Sequence, residues 1–207
     1  MVKSDFALRQ LVEAIIAGDA EGAARLLAAT PQLARASFQA GATRQSSEPF
    51  LDQIARYIYA GDTALHIAAA AYQTKIVSEL LAAGAEVHAR NRRGQEALHA
   101  ASCGSPGSLI WNPSAQSATI TRLVEAGADP NVFDKSGVSP LHKAVRTRCA
   151  AAVRTLLDLG ADPAGPNKNG STPVLLAKQN TGRGGTGLPE AKLQQQEILR
   201  LLEERAR

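Results

Sequence analysis

Aromatic side chains are scarce in this chain: one Trp, three Tyr and four Phe, 4% of 207 residues. Its core must be assembled mainly from Leu, Ala, Val and Ile, within an apolar share of 44%, and small aliphatic side chains suit helices packed at close spacing. The same scarcity removes the stacking platform that single-stranded nucleic acid needs. Cysteine is almost missing too, with Cys103 and Cys149 alone, so no disulfide framework is expected and both are predicted to be free thiols. Charges at Lys3, Asp5, Arg9 and Glu13 break up the first residues, which leaves no secretory leader. No stretch approaches the roughly 18 to 20 apolar residues of a membrane span. A cytoplasmic protein is expected.

What the chain has in abundance is itself. One phrase occurs four times: Gly61-Asp-Thr-Ala-Leu-His66-Ile-Ala-Ala, Gly94-Gln-Glu-Ala-Leu-His99-Ala-Ala, Gly137-Val-Ser-Pro-Leu-His142-Lys-Ala and Gly170-Ser-Thr-Pro-Val174-Leu-Leu-Ala, at steps of 33, 43 and 33 residues. A second phrase, Leu/Val-x-x-Gly-Ala-Asp/Glu, recurs at Gly84, Gly127 and Gly160, each ten residues before the next first phrase. Thr63, Ser139 and Thr172 supply hydroxyls that can cap a helix, and Pro140 and Pro173 occupy the first helical position, where no donor is lost. Each first phrase therefore opens a helix. Glycines 84, 127 and 160 close the following one, since a C-terminal position with positive φ suits a residue lacking Cβ.

The period and the T-P-L-H-x-A pattern resemble those of the ankyrin-repeat family, over roughly residues 5 to 204. The resemblance implies an all-α solenoid of stacked helix pairs, with β-turn fingers projecting between them, and a protein-binding role without catalysis. No single pair buries its apolar face, so neighbours must stack and the end pairs need polar outer sides. We expect about five helix pairs in one domain about 40 to 50 Å long. Residues 1–35 hold the N-terminal capping pair, broken at Gly18-Asp19, and 36–60 an extended finger insertion. Residues 61–93, 94–136 and 137–169 are repeats, and 170–207 form the C-terminal repeat and cap.

Four histidines raise the question of a metal. His66, His99 and His142 occupy one slot in successive repeats, so stacking separates them by roughly 10 Å, whereas zinc needs each ligand nitrogen at about 2 Å. No metal and no cofactor are expected. The resemblance implies a structural role, in which the histidine bonds finger backbone and holds the turn onto the helix. Leu175 fills the slot in the fourth repeat, an expected loss of finger rigidity there, and His88 is expected to face solvent.

Function is to be sought where the repeats depart from their period. An insertion of about ten residues lies between Cys103 and Ser117 and carries Trp111 among prolines; one of about twelve follows Leu175 and includes Asn180-Thr-Gly-Arg183-Gly-Gly-Thr-Gly187; one of about 21, ending in Tyr57-Ile-Tyr59, enlarges the first finger. The first two leave the same edge of the solenoid, flanking repeat three, and could share a pocket over Arg146 and Arg148. The third is assigned to the opposite edge. Trp111 either folds back over a groove or anchors a partner. Arg183, Gly184 and Gly185 offer an anion site before the helix opened by Pro189, without the Gly-Lys-Ser/Thr ending of a nucleotide loop.

The formal net charge is +4, and cations gather on the face that such repeats present: Arg90, Arg92 and Arg93 on one finger, Lys135 and Lys168 on the next two, Lys143 and Arg146 on the third inner helix. The counterparts Ile67, Ala70 and Ala71 in the first repeat are neutral, so the surface grades from apolar to basic. A protein partner with an acidic patch beside an apolar one fits it. A basic stripe for nucleic acid is not expected, because Asp134 and other finger acids interrupt it. The competing reading is a small-ligand receptor or enzyme with a site built by the insertions at 104–116 and 180–192, using Arg146, Arg148, Arg183 and Trp111. No general base accompanies them. A monomer is expected, and Arg154 and Arg200 are assigned to outer helices.

Overall fold

The computed structural model describes residues 3–43, 45–46, 50–179 and 188–205. Among these described residues, ten α-helices alternate in two layers. The inner layer stacks α1 (Lys3–Ala17), α3 (Ala64–Ala70), α5 (Ala97–Ala101), α7 (Pro140–Thr147) and α9 (Pro173–Lys178), each packed on the next. The outer layer stacks α2 (Ala20–Ala29), α4 (Thr74–Ala82), α6 (Pro113–Glu125), α8 (Ala150–Asp158) and α10 (Pro189–Arg205) in the same order. This is the all-α solenoid of five helix pairs. Among the described residues, β-structure is confined to a hairpin of β1 (Phe50–Leu51) and β2 (Arg56–Tyr57), with Phe50 opposite Tyr57, and to an isolated bridge between Ser37 and Thr63.

Local chemistry sets the helix ends. Asp19 caps α2 by accepting from the Gly22 amide at 2.8 Å, and Ser139 and Thr172 cap α7 and α9 in the same way. The outer helices end in one motif. Gly84 adopts φ +89°, its amide donates to the Leu81 carbonyl, and the Ala85 amide reaches back to Leu80. Gly127-Ala128 and Gly160-Ala161 repeat both bonds on α6 and α8. That pair of bonds satisfies carbonyls the helix would otherwise orphan, which explains why Gly-Ala recurs as a unit.

Two inner helices end in the same bond pattern without glycine. Tyr72 and Arg148 stand in left-handed backbone, at φ 56° and 61°, an arrangement that costs a residue bearing Cβ on the order of 1 kcal/mol. The core runs unbroken between the layers. Leu65, Leu98 and Leu141 are buried between inner helices, and Leu80, Leu123 and Leu156 between outer ones. At the C-terminal end, α10 buries Ala191, Ile198, Leu201 and Leu202, while Glu197 accepts from both Arg154 and Arg200 on the outer side.

Candidate interaction site

Buried histidines tie the inner helices to the fingers. In the first repeat, His66 Nδ1 accepts from the Thr63 backbone amide at 3.2 Å, and Nε2 lies 2.9 Å from the Gln95 carbonyl. A backbone amide only donates and a carbonyl only accepts, so this pairing assigns the proton to Nε2 in a neutral ring. His99 bridges the Glu96 amide and the Val138 carbonyl, and His142 the Ser139 amide and the Ser171 carbonyl. Burial lowers the pKa of all three, that of His99 to about 4 with Lys143 as a further cause. Each histidine thus reaches forward and fastens the next finger. Leu175 consequently weakens nothing in its own finger, which His142 holds, and no finger follows it among the described residues. That corrects the expectation of a loose fourth finger.

Fingers are also tied to one another. The Arg92 amide donates to Ala60, Lys135 to Arg93 and Lys168 to Ser136, a backbone ribbon across four fingers. Asn91, Asp134 and Asn167, each three residues before the finger glycine, fold their turns by accepting two backbone amides apiece. Asp134 is buried and also accepts from Gln95. Burial favours the neutral acid, but the bonds from Gln95, Val138 and Ser136 outweigh it and leave the pKa below its ordinary value. The turn's Gly137 is obligatory: at φ +71°, an added Cβ would lie 2.8 Å from the Lys168 nitrogen.

Above this ribbon, two insertions meet. The hairpin at 50–57 leads into Tyr59, whose ring lies under Arg92 and Arg93 at 5.6 and 5.2 Å and whose hydroxyl accepts from Arg93 at 3.0 Å. From the other edge comes the 104–110 loop, seated by the Tyr72 hydroxyl on the Cys103 carbonyl and by the Gly104 amide on Thr147. Between them lies a cavity of about 740 Å³. Its floor includes Ala70, Ala100, Lys143 and Thr147 of the inner helices, and Leu188 from the start of the last helix closes on Gly107.

A family model described as ankyrin repeats (many copies) matches residues 123–177, and one for a single ankyrin repeat matches residues 60–92. The chain belongs to the ankyrin-repeat family. Curated ankyrin relatives agree. Ankyrin repeat and SOCS box protein 16 of Mus musculus is 37% identical over 45% of this chain and 20% of its own length. NF-kappa-B inhibitor delta, also from mouse, is 39% identical over 44% and 25%, and Tyrosine-protein kinase Shark of Drosophila melanogaster 34% over 44% and 9%. The chain thus spans no more than a quarter of these relatives. Ankyrin repeats are generally interaction scaffolds rather than catalysts, and the matches lie on either side of the 104–110 loop.

Within that ankyrin frame, the cations expected on the concave side divide into two kinds. Arg92, Lys135 and Lys168 are exposed on successive fingers, and Lys143 and Arg146 are half-buried on α7; among the described residues none of the five has a carboxylate partner. Arg90 is different. It donates to Glu96 at 3.0 Å, and Glu96 is 1% exposed, with the exposed His88 ring 3.4 Å from its other oxygen. This makes Arg90 a clasp on its own finger. Glu96 was illegible as a cap position because Thr or Ser stands there in the other three repeats.

The insertions depart from expectation in three ways. Arg148 is 3% exposed with one guanidinium nitrogen lacking a hydrogen bond, so the shared pocket lies over Lys143 and Thr147 instead of Arg146 and Arg148. The enlarged first finger leaves the opposite edge but lines the same cavity, because Tyr59 packs on the second finger's arginines. Trp111 is half-buried, its indole nitrogen enclosed without a hydrogen bond and facing Cys149; the exposed apolar residue of that loop is Leu109, at 96%. Asp134 lies inside a turn and interrupts no surface stripe. Arg183, Gly184 and Gly185 lie outside the described residues. Among the described residues no His/Cys/Asp/Glu cluster could hold a metal, and no helix is long and apolar enough to cross a membrane.

Proposed function

We propose that this chain is a non-catalytic protein-interaction module, a single ankyrin domain over residues 1–207 that acts in the cytoplasm as a monomer and grips an acidic, partly apolar surface of a protein partner. The observation that carries the reading is a set of cations without a carboxylate partner among the described residues, Arg92, Lys135, Lys168, Lys143 and Arg146, on a finger ribbon and inner helix fixed by histidine bonds. Rigid, uncompensated charge on a concave face speeds encounter with an opposite patch and excludes like-charged competitors. A relative named as an NF-kappa-B inhibitor fits a stack that works by binding.

The test is the double substitution Arg92→Glu with Arg146→Glu, measured by titration calorimetry at two salt concentrations against a partner captured from the source cell. More than about tenfold weakening, largest at low salt, is expected. The controls are Lys75→Glu and Lys192→Glu, exposed on α4 and α10 without a carboxylate partner among the described residues, and they should leave affinity unchanged. Equal losses in both pairs would refute the concave reading. A small-ligand reading has one observation in its favour, the cavity between the insertions.

A further inference from the structure

The cavity has a chemical polarity that names its occupant. Three cations line it, Arg56, Arg93 and Lys143, against one carboxylate, Asp52. Arg56 is already neutralised by the buried Asp62 at 3.4 Å, whereas Arg93 is bonded only to the Tyr59 hydroxyl and Lys143 to no side chain among the described residues. An unneutralised pair of positive charges therefore stands at the floor and finger side. The opposite rim is apolar, with Leu109 almost wholly in solvent and Leu188 beside Gly107.

We infer that this cavity binds an extended peptide segment of the partner in which an acidic side chain is flanked by aliphatic or aromatic residues. The carboxylate sits between Arg93 and Lys143, where two cations without a carboxylate partner among the described residues offer charge-assisted bonds. The flanking apolar residue is covered by Leu109, whose exposure is costly in a free chain and is relieved by contact. A cavity of about 740 Å³ falls in the range of pre-formed ligand sites, and the tyrosine hairpin and the 104–110 loop preset its walls. The inference rests on the protein-binding reading above but locates the recognition within this chain's own insertions, away from the outer fingers.

The experiment is selection of a displayed dodecapeptide library on the whole chain, followed by fluorescence titration of the enriched peptides. Enriched sequences should share Asp or Glu beside apolar residues and should weaken more than about tenfold with Lys143→Glu and with Leu109→Asp. Leu109→Asp should keep the wild-type melting temperature, because the side chain is solvent-exposed, so its loss of binding cannot be a folding defect. Lys135→Glu with Lys168→Glu should leave these peptides unaffected. Enriched peptides that respond to the finger pair but not to Leu109→Asp or Lys143→Glu would overturn the cavity proposal while leaving the concave reading intact. Failure to enrich acidic peptides would overturn it as well, with the captured natural partner then reporting separately on the concave face.

Discussion

His142 donates from Nε2 to the carbonyl of Ser171 at 2.9 Å, so a side chain in repeat three fixes the finger of repeat four. The brace always points one repeat forward, and the slot matters only where a finger lies ahead. His142→Leu should therefore destabilise by about 1–3 kcal/mol, because the Ser139 amide loses its acceptor while the Ser171 carbonyl keeps only its bond from the Asn167 amide. Leu175→His, at an exposed position with no following finger in the described chain, should change stability by less than about 0.5 kcal/mol. Urea unfolding checks both. Elemental analysis should find no stoichiometric zinc in either variant or in the parent protein, and one bound ion per chain would refute the brace.

Acid should unfold the stack early. The folded pKa of His99 is about 4, lowered by burial, and those of His66 and His142 are also lowered. The unfolded chain takes up protons below about 6.5 that the folded one refuses. Stability is thus fully present above that pH, falls as pH drops, and for His99 stops falling near 4. Each histidine contributes a slope of up to about 1.4 kcal/mol per pH unit. Stability measured between pH 7 and 4 should show the fall, and His99→Gln should flatten it while lowering the plateau.

Leu65→Ala, Leu98→Ala and Leu141→Ala should each cost about 2–5 kcal/mol, because all three are fully buried at the repeat junctions. Denaturant unfolding reads this directly. Losses below about 1 kcal/mol at two of the three positions would contradict the packing.

Most of this architecture was legible. Gly84, Gly127 and Gly160 announce helix ends through a requirement for positive φ, and Ser139 and Thr172 announce starts, since both signals are local. The inner-helix ends at Tyr72 and Arg148 were not readable, because tertiary packing holds left-handed backbone there without a glycine. The histidine slot was visible, but its acceptor lies 29 or 39 residues away, a distance that only stacking sets. Asn91, Asp134 and Asn167 carried a usable signal, an Asn or Asp three residues before each finger glycine, that marks turn builders. The cavity was legible only in part: the sequence set the 104–116 and 180–192 insertions over one pocket but assigned the first finger to the opposite edge, because the Tyr59 stack on Arg93 that folds this finger toward the 104–110 loop is a long-range contact.

Outer-surface arginines that look interchangeable are not. Arg154 and Arg200 both donate to Glu197, and Arg200 also to Glu204, with Glu197 held below the usual carboxylate range chiefly by its hydrogen bond from Arg200. Reversing both arginines sets two new carboxylates against Glu197 on the end helix, where single exposed pairs are worth about 0–1 kcal/mol but a shared centre couples them. Arg154→Glu with Arg200→Glu should therefore lower the melting temperature, with most of the loss recovered at 1 M salt, where screening length falls to about 3 Å. Lys75→Glu with Lys192→Glu should lose nothing measurable. Thermal unfolding at low and high salt separates the two pairs, and equal behaviour would mean that Glu197 does not tie α10 to α8. The same measurement decides which pair is fit to serve as a neutral control when the concave face is tested for binding.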